Sequence, residues 1–251
     1  MTRSLPRPIL VGIGAAWAAA IGAQVAGVAA LANHDSLLVG DGPPFVLAAL
    51  IALLAWQVMI AAMMLPSSLP LVRMYSRATA DAPQRGRSMA AFIGGYALMW
   101  SAFGLAAFCF DASIHAAVNS SSWLEHHDWW IGGSVLALAG VFQFTSLKDA
   151  CLDKCRHPAQ FLMRYYERGP AGGFRLGARH GAFCVGCCWA LMLVMFAAGV
   201  ASLIWMALLT GVMIHEKTRP TGAKAVPVTG VALLGAASVV LLYSAYAAGA
   251  V

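Results

Sequence analysis

The chain has 251 residues, 61% of them hydrophobic and only 10% charged, with a formal net charge of +6 and a mean hydropathy of +0.75. Such a composition excludes a soluble globular domain and predicts an all-α polytopic membrane protein whose main partner is the lipid bilayer. The positive charge needs no nucleic acid to explain it, because it follows from membrane topology and contact with anionic head groups.

In chain order, apolar stretches of membrane length occur near residues 9–31, 45–69, 89–110, 129–146, 182–214 and 228–250. Arg3 and Arg7 precede the first. Its apolar core is about twice the 7–15 residues of a secretory signal, so it reads as a retained first helix. Residues 32–44 and 111–128 contain no Lys or Arg, whereas 73–88 carries Arg73, Arg77, Arg85 and Arg87. Residues 147–180 add Lys148, Lys154, Arg156, Arg164, Arg168, Arg175 and Arg179. The positive-inside rule then puts the amino terminus in the cytoplasm.

The stretch 182–214 would be roughly 50 Å long as one helix, more than a bilayer core needs. A break between Gly199 and Ser202 makes it a hairpin and returns Lys217, Arg219 and Lys224 to the cytoplasm. The hairpin is the preferred reading and gives about seven spans; one long tilted helix gives six. The whole chain, 1–251, reads as a single integral membrane domain with a Cys-containing cytoplasmic loop at about 147–180. The first half of that loop is helix-compatible, Pro158 interrupts it, and Gly169, Pro170, Ala171, Gly172 and Gly173 read as a turn.

Five of the six cysteines fall into two groups, Cys151 with Cys155 as C-x3-C, and Cys184, Cys187 and Cys188 as C-x2-C-C. Three- and four-residue separations place each group broadly on one helix face. Both groups lie at the cytoplasmic edge, flanking one loop, where structural disulfides are disfavoured and sulfur clusters bind metal or perform redox chemistry. Thiolates there suit Cu(I), which is favoured, or Zn(II). Isolated Cys109 reads as an ordinary small apolar residue. At 100° per residue from Cys184, Cys188 falls near 40°, Met192 near 80° and Met195 near 20°, so thiols continue into thioethers along one stripe.

A second sulfur-bearing helix, WQVMIAAMMLPSSLP, puts Met59 and Met63 on the face of Trp56, with Met64 pointing elsewhere. Met206 and Met213 extend the series. Methionine is also a common filler of apolar cores, and that reading stands beside the ligand one. Pro66 and Pro70 are expected to bend or end this helix. No charged residue lies within the apolar spans, which argues against a proton-coupled pump. His215, Glu216 and Lys217 read either as an interfacial cap or as part of the metal site. Across the membrane, Asp111, His115, Glu125, His126, His127 and Asp128 form either a solvated loop or a metal-collecting patch. No Walker loop, nucleophile elbow or H-E-x-x-H motif is present, so an enzyme is not the favoured class.

Three blocks, WQVMIAAMMLPSSLPLV, LKDACLDKCRHP and GAFCVGCCWALMLVMFAAGVASLIWMALLTGVMIHEK, resemble the signatures of an uncharacterised bacterial family described as predicted metal-binding integral membrane proteins. The likeness covers roughly 45–250. Met59, Met63, Met64 and Pro66 match its first block, and Lys148, Cys151, Cys155 and Arg156 its second. Cys184, Gly186, Cys187, Cys188, Trp189, Met192 and Glu216 match the third. The turn GVAS departs from an expected GVMN. What the resemblance implies is metal binding, without a reaction.

The expected function is therefore soft-metal binding by Cys151, Cys155, Cys184, Cys187 and Cys188 with Met59, Met63, Met192 and Met195, for metal transfer, transport or delivery to a partner protein. Two alternatives stay open: a membrane thiol-disulfide oxidoreductase, and a structural subunit of a larger membrane enzyme held by a zinc clip.

Overall fold

The computed structural model describes residues 7–29, 34–38, 42–121, 127, 129–198 and 202–249, and these contain helices and no strand. The helices are α1 (Arg7–Val25), α2 (His34–Leu38), α3 (Phe45–Ala78), α4 (Arg85–Asn119), α5 (Trp129–Phe142), α6 (Ser146–Arg156), α7 (Pro158–Tyr165), α8 (Gly169–Ala198), α9 (Leu203–Thr218) and α10 (Gly222–Gly249). The result is the expected all-α bundle. Five helices, α1, α3, α4, α8 and α10, are long and apolar enough to cross a membrane, or six crossings if α5 and α6, bent by 66° at their junction, count as one. Taken alone, α5 and α9 are about 21 and 24 Å long at 1.5 Å per residue, short of roughly 30 Å of hydrocarbon. The expected count of about seven thus includes two short segments.

The 182–214 stretch is a hairpin. Helix α8 ends at Ala198 and α9 starts at Leu203, and Lys217 near the end of α9 returns to Cys184 on α8. Ile9 at the start of α1 packs with Leu71, Val72 and Tyr75 of α3 and Phe161 of α7. The basic ends of α1, α3, α7 and α9 therefore gather at one face of the bundle.

Of the two outcomes expected at Pro66 and Pro70, a bend or an end, helix α3 excludes the end, since both prolines lie inside its 34 residues. Pro66 has no N–H, so the carbonyl of Ala62, one turn back, loses its intrahelical donor. Trp17 of α1 supplies a replacement, its indole Nε1 donating to that carbonyl at 3.0 Å. A neighbouring helix thus re-satisfies the backbone, the condition under which proline is tolerated in an apolar span.

A second correction concerns Gly169–Gly173, which belongs to α8 and is not a turn. Gly169 adopts φ +80°, a conformation open to glycine, and Pro170 follows near the first helical position, where its missing N–H costs nothing. Gly173, Gly177 and Gly181 then recur every four residues along one face that meets α4. A side chain at Gly173 would meet the Ser88 carbonyl at 2.5 Å, one at Gly177 would run into the Phe92 carbonyl, and one at Gly181 would press on Met99. Gly95 of α4 reciprocates against Phe174 and Ala178. Small residues at this spacing let two helix backbones touch. Helix α8 is consequently the most enclosed of the long helices, 56% of its apolar window being buried against 11–33% for the others.

Gly177→Ala should therefore destabilise the fold by roughly 3 kcal/mol, the upper end for overpacking, because the opposing atoms are backbone. Gly94→Ala is the control, since nothing lies within 4 Å of its Cβ position. The thermal midpoint in mild detergent should fall for the first and hold or rise for the second.

Candidate metal site

Helix α6 carries the first cysteine pair. Its start is set by Thr145, whose hydroxyl accepts from the Lys148 backbone N–H at 3.3 Å, an N-cap ahead of an amphipathic sequence. Lys148 is fully buried and pairs with Glu216 of α9, Nζ to Oε2, at 2.7 Å. This ion pair ties α6 to the hairpin. Cys151 faces α8 at Gly186, where an added Cβ would stand 2.6 Å from its Sγ. The glycine between Cys184 and Cys187 thus makes room for a thiol of the other group.

Helix α8 holds the second group, and Cys184, Cys187 and Cys188 are all buried. Two thiol environments result. Toward α6, Cys187 Sγ lies 3.9 Å from Cys155 Sγ, and Cys155 is the half-exposed member. Deeper in the bundle, Cys188 Sγ approaches Met64 Sδ at 3.7 Å. Both Cys187 and Cys188 donate to the Cys184 carbonyl oxygen, Cys188 Sγ at 2.8 Å and Cys187 Sγ at 3.2 Å.

Lys217 turns inward to this second environment. Its Nζ donates to Cys184 Sγ at 3.2 Å, to Cys188 Sγ at 3.7 Å and to Ser67 Oγ at 3.2 Å, and the residue is buried. Of the two readings of His215, Glu216 and Lys217, an interfacial cap or a part of the cysteine site, Lys217 takes the second. It shares a stripe with Met206, Thr210 and Met213, all buried on α9, and that spacing was the available signal. Cys184 Sγ also contacts the Tyr96 hydroxyl at 3.2 Å. Tyr96 in turn meets Ser68 at 3.3 Å, and Ser68 meets His180 Nε2 at 3.0 Å. None of Tyr96, Ser67, Ser68 or His180 was singled out as a site residue from sequence, because their link to the cysteines is purely tertiary.

Met59, Met63, Met192 and Met195 are buried in one cluster with Cys151, Cys184, Cys187 and Cys188, and Met206 and Met213 join them. Met64, expected to point elsewhere, is the methionine in contact with a thiol. His215 bonds Thr221 through Nε2 at 3.1 Å and is exposed, which leaves Glu216 and Lys217 as the buried pair of that tripeptide. Cys109 is exposed on α4, far along the sequence from the others. At the opposite face, His115 and Asp111 sit one helical turn apart, Nδ1 to Oδ2 3.7 Å, and His127 lies against Trp129. Glu125, His126 and Asp128 lie outside the described residues.

Among the described residues no group of three or more His, Cys, Asp or Glu is arranged to hold a metal ion. The cysteines form pairs and not a closed four-ligand cage. Thiols with a thioether are nevertheless the soft donors that select Cu(I), and zinc in structural sites calls for four ligands.

The fold and this centre define a helical bundle with a buried soft-donor site. Residues 53–240 match the family described as PpoB2, copper chaperone. The chain belongs to that family, and its role is copper-related. No curated protein and no solved structure matches it.

Replacing Glu216 by Gln leaves the Lys148 ammonium buried without its counter-charge, which should cost roughly 3–5 kcal/mol. Lys148→Met combined with Glu216→Met removes both charges and should recover most of that loss. Chemical denaturation of the three variants in micelles checks the non-additivity.

Proposed function

We propose that this protein is a multi-pass inner-membrane copper chaperone that takes up Cu(I) through Cys151, Cys155, Cys184, Cys187 and Cys188 at the cytoplasmic edge and passes it on. The observation that carries the reading is the convergence of two cysteine groups, 32 residues apart at Cys155 and Cys187, to 3.9 Å between sulfurs. The amino terminus is cytoplasmic in this reading, on the positive-inside rule. Half-exposed Cys155 with Cys187 receives the metal, and the buried cysteines take it inward by exchange of one soft ligand for another. Met192 and Met195, with Met59 and Met63 on the facing helix, continue the soft lining into the bundle. The recipient is a metal-accepting protein or a membrane enzyme.

Elemental analysis of protein purified anaerobically in mild detergent tests the site. The native chain should carry near-stoichiometric copper, and a Cys184→Ser, Cys187→Ser, Cys188→Ser variant that still folds should lose it. Zinc in place of copper would convert the site into a structural clip. Metal in neither, with a mixed disulfide trapped on mutation of one cysteine, would make the protein a thiol oxidoreductase.

The methionine path has its own test. Met192→Leu with Met195→Leu should keep Cu(I) bound at the cysteines while slowing its movement in proteoliposomes several-fold. Unchanged flux would remove the path.

A further inference from the structure

We propose that the copper centre contains a distinct inner subsite made by Cys184, Cys188 and Met64, and that Lys217 is its built-in counter-charge, selecting a monovalent soft cation. This rests on the copper-binding reading above and assigns the specificity within it.

The argument starts from the company Lys217 keeps. Its ammonium is buried, and its hydrogen-bond partners are one hydroxyl and two sulfurs. No carboxylate lies within ion-pair distance of it among the described residues. The adjacent carboxylate, Glu216, is turned to Lys148. An ammonium held in an apolar bundle without an anion is costly, whereas a sulfur site that becomes anionic supplies what it lacks. The placement is also enforced: Ser67, which accepts from Lys217, donates its own hydroxyl proton to the Met64 carbonyl at 2.8 Å. One turn of α3 therefore fixes both the ammonium and the thioether against α8.

Charge then decides which metal fits. Coordination by Cys184 and Cys188 exchanges their thiol protons, released to water, for the metal; copper and sulfur keep their oxidation states. Two thiolates with Cu(I) carry one negative charge, which Lys217 cancels. The same thiolates with Zn(II) are neutral, and Lys217 leaves a buried net positive charge. Met64, with its sulfur 3.7 Å from that of Cys188, adds a neutral soft ligand that suits Cu(I) and alters no charge. Cys155 and Cys187 lie outside this arrangement, and among the described residues no ammonium stands at hydrogen-bond distance from either sulfur.

The test uses the full chain in detergent, in a Cys155→Ser background that breaks the outer pair. Cu(I) is titrated against a chromogenic Cu(I) chelator, and Zn(II) against a divalent-metal dye. Lys217→Gln should weaken Cu(I) at least tenfold and narrow the preference for Cu(I) over Zn(II) by more than that, while Lys217→Arg keeps the native order. Met64→Leu, close in volume and equal in charge, should weaken Cu(I) about tenfold and Zn(II) little; it carries the test if the Gln variant does not fold. Native affinity and native discrimination in Lys217→Gln, or native Cu(I) affinity in Met64→Leu, would overturn the inner subsite while leaving the copper-binding reading intact. Absence of Cu(I) binding by the unmutated chain would overturn both.

Discussion

The close approach of α8 to α4 is the constraint on which the rest of the structure depends. A ladder of glycines every fourth residue brings the two backbones into contact, and nothing larger fits at Gly173 or Gly177. That contact sinks α8 into the bundle, so residues on its other sides are enclosed by α3, α5, α6 and α9. Thiols at Cys184, Cys187 and Cys188 are buried because their helix is buried. The half of α8 that makes the contact precedes the half that carries the chemistry, and a rigid first half fixes the rotation of the second.

Burial of the helix makes its charged neighbours consequential. Lys148 and Glu216 are both removed from solvent and bonded to each other, an arrangement that contributes little net stability but penalises loss of either partner heavily. Its value is geometric, since it joins the helix bearing Cys151 and Cys155 to the hairpin bearing Lys217. By occupying Glu216 it also leaves Lys217 to the sulfurs. Two adjacent residues of opposite charge on α9 thus serve two different helices, and the usual cancellation between neighbours does not occur.

How much of this was legible in the sequence follows from where the information lies. Apolar runs and their basic flanks located the long helices; the length of 182–214 left one helix or two open, and the basic residues after it favoured the hairpin. The start of α8 was missed because glycine serves both turns and close helix contacts, and only the presence of α4 decides between them. Proline at 66 left a bend or an end of the helix open since its compensating donor, Trp17, is 49 positions away. Cysteine spacing at two edges of one loop allowed the two groups to converge, and Cys155 and Cys187 do. Helical phase on α3 favoured Met59 and Met63 over Met64, but which face of α3 meets Cys188 is set by packing, not by the wheel. Lys217 was ambiguous in position, because a lysine closing an apolar helix is also what membrane topology ordinarily requires.

The grouping of the sulfurs bears on what such a centre is good for. A closed tetrahedral cage of four ligands holds a metal by satisfying it completely, and release then requires breaking the cage. Here the thiols come as pairs, with Cys187 shared in position between the two environments, 3.9 Å from Cys155 across to α6 on one side and one residue from Cys188 on the other. On the proposed copper-binding reading each pair would be an incomplete coordination shell for a third soft ligand to complete, so that a metal would have its next ligand close by. Rigid backbone at the glycine ladder keeps those spacings fixed, while unbranched methionine and cysteine side chains supply the local freedom that ligand exchange needs. If the proposed reading holds, incomplete pairs on a fixed helix would favour transfer over storage, which is the physical content that the word chaperone would have here.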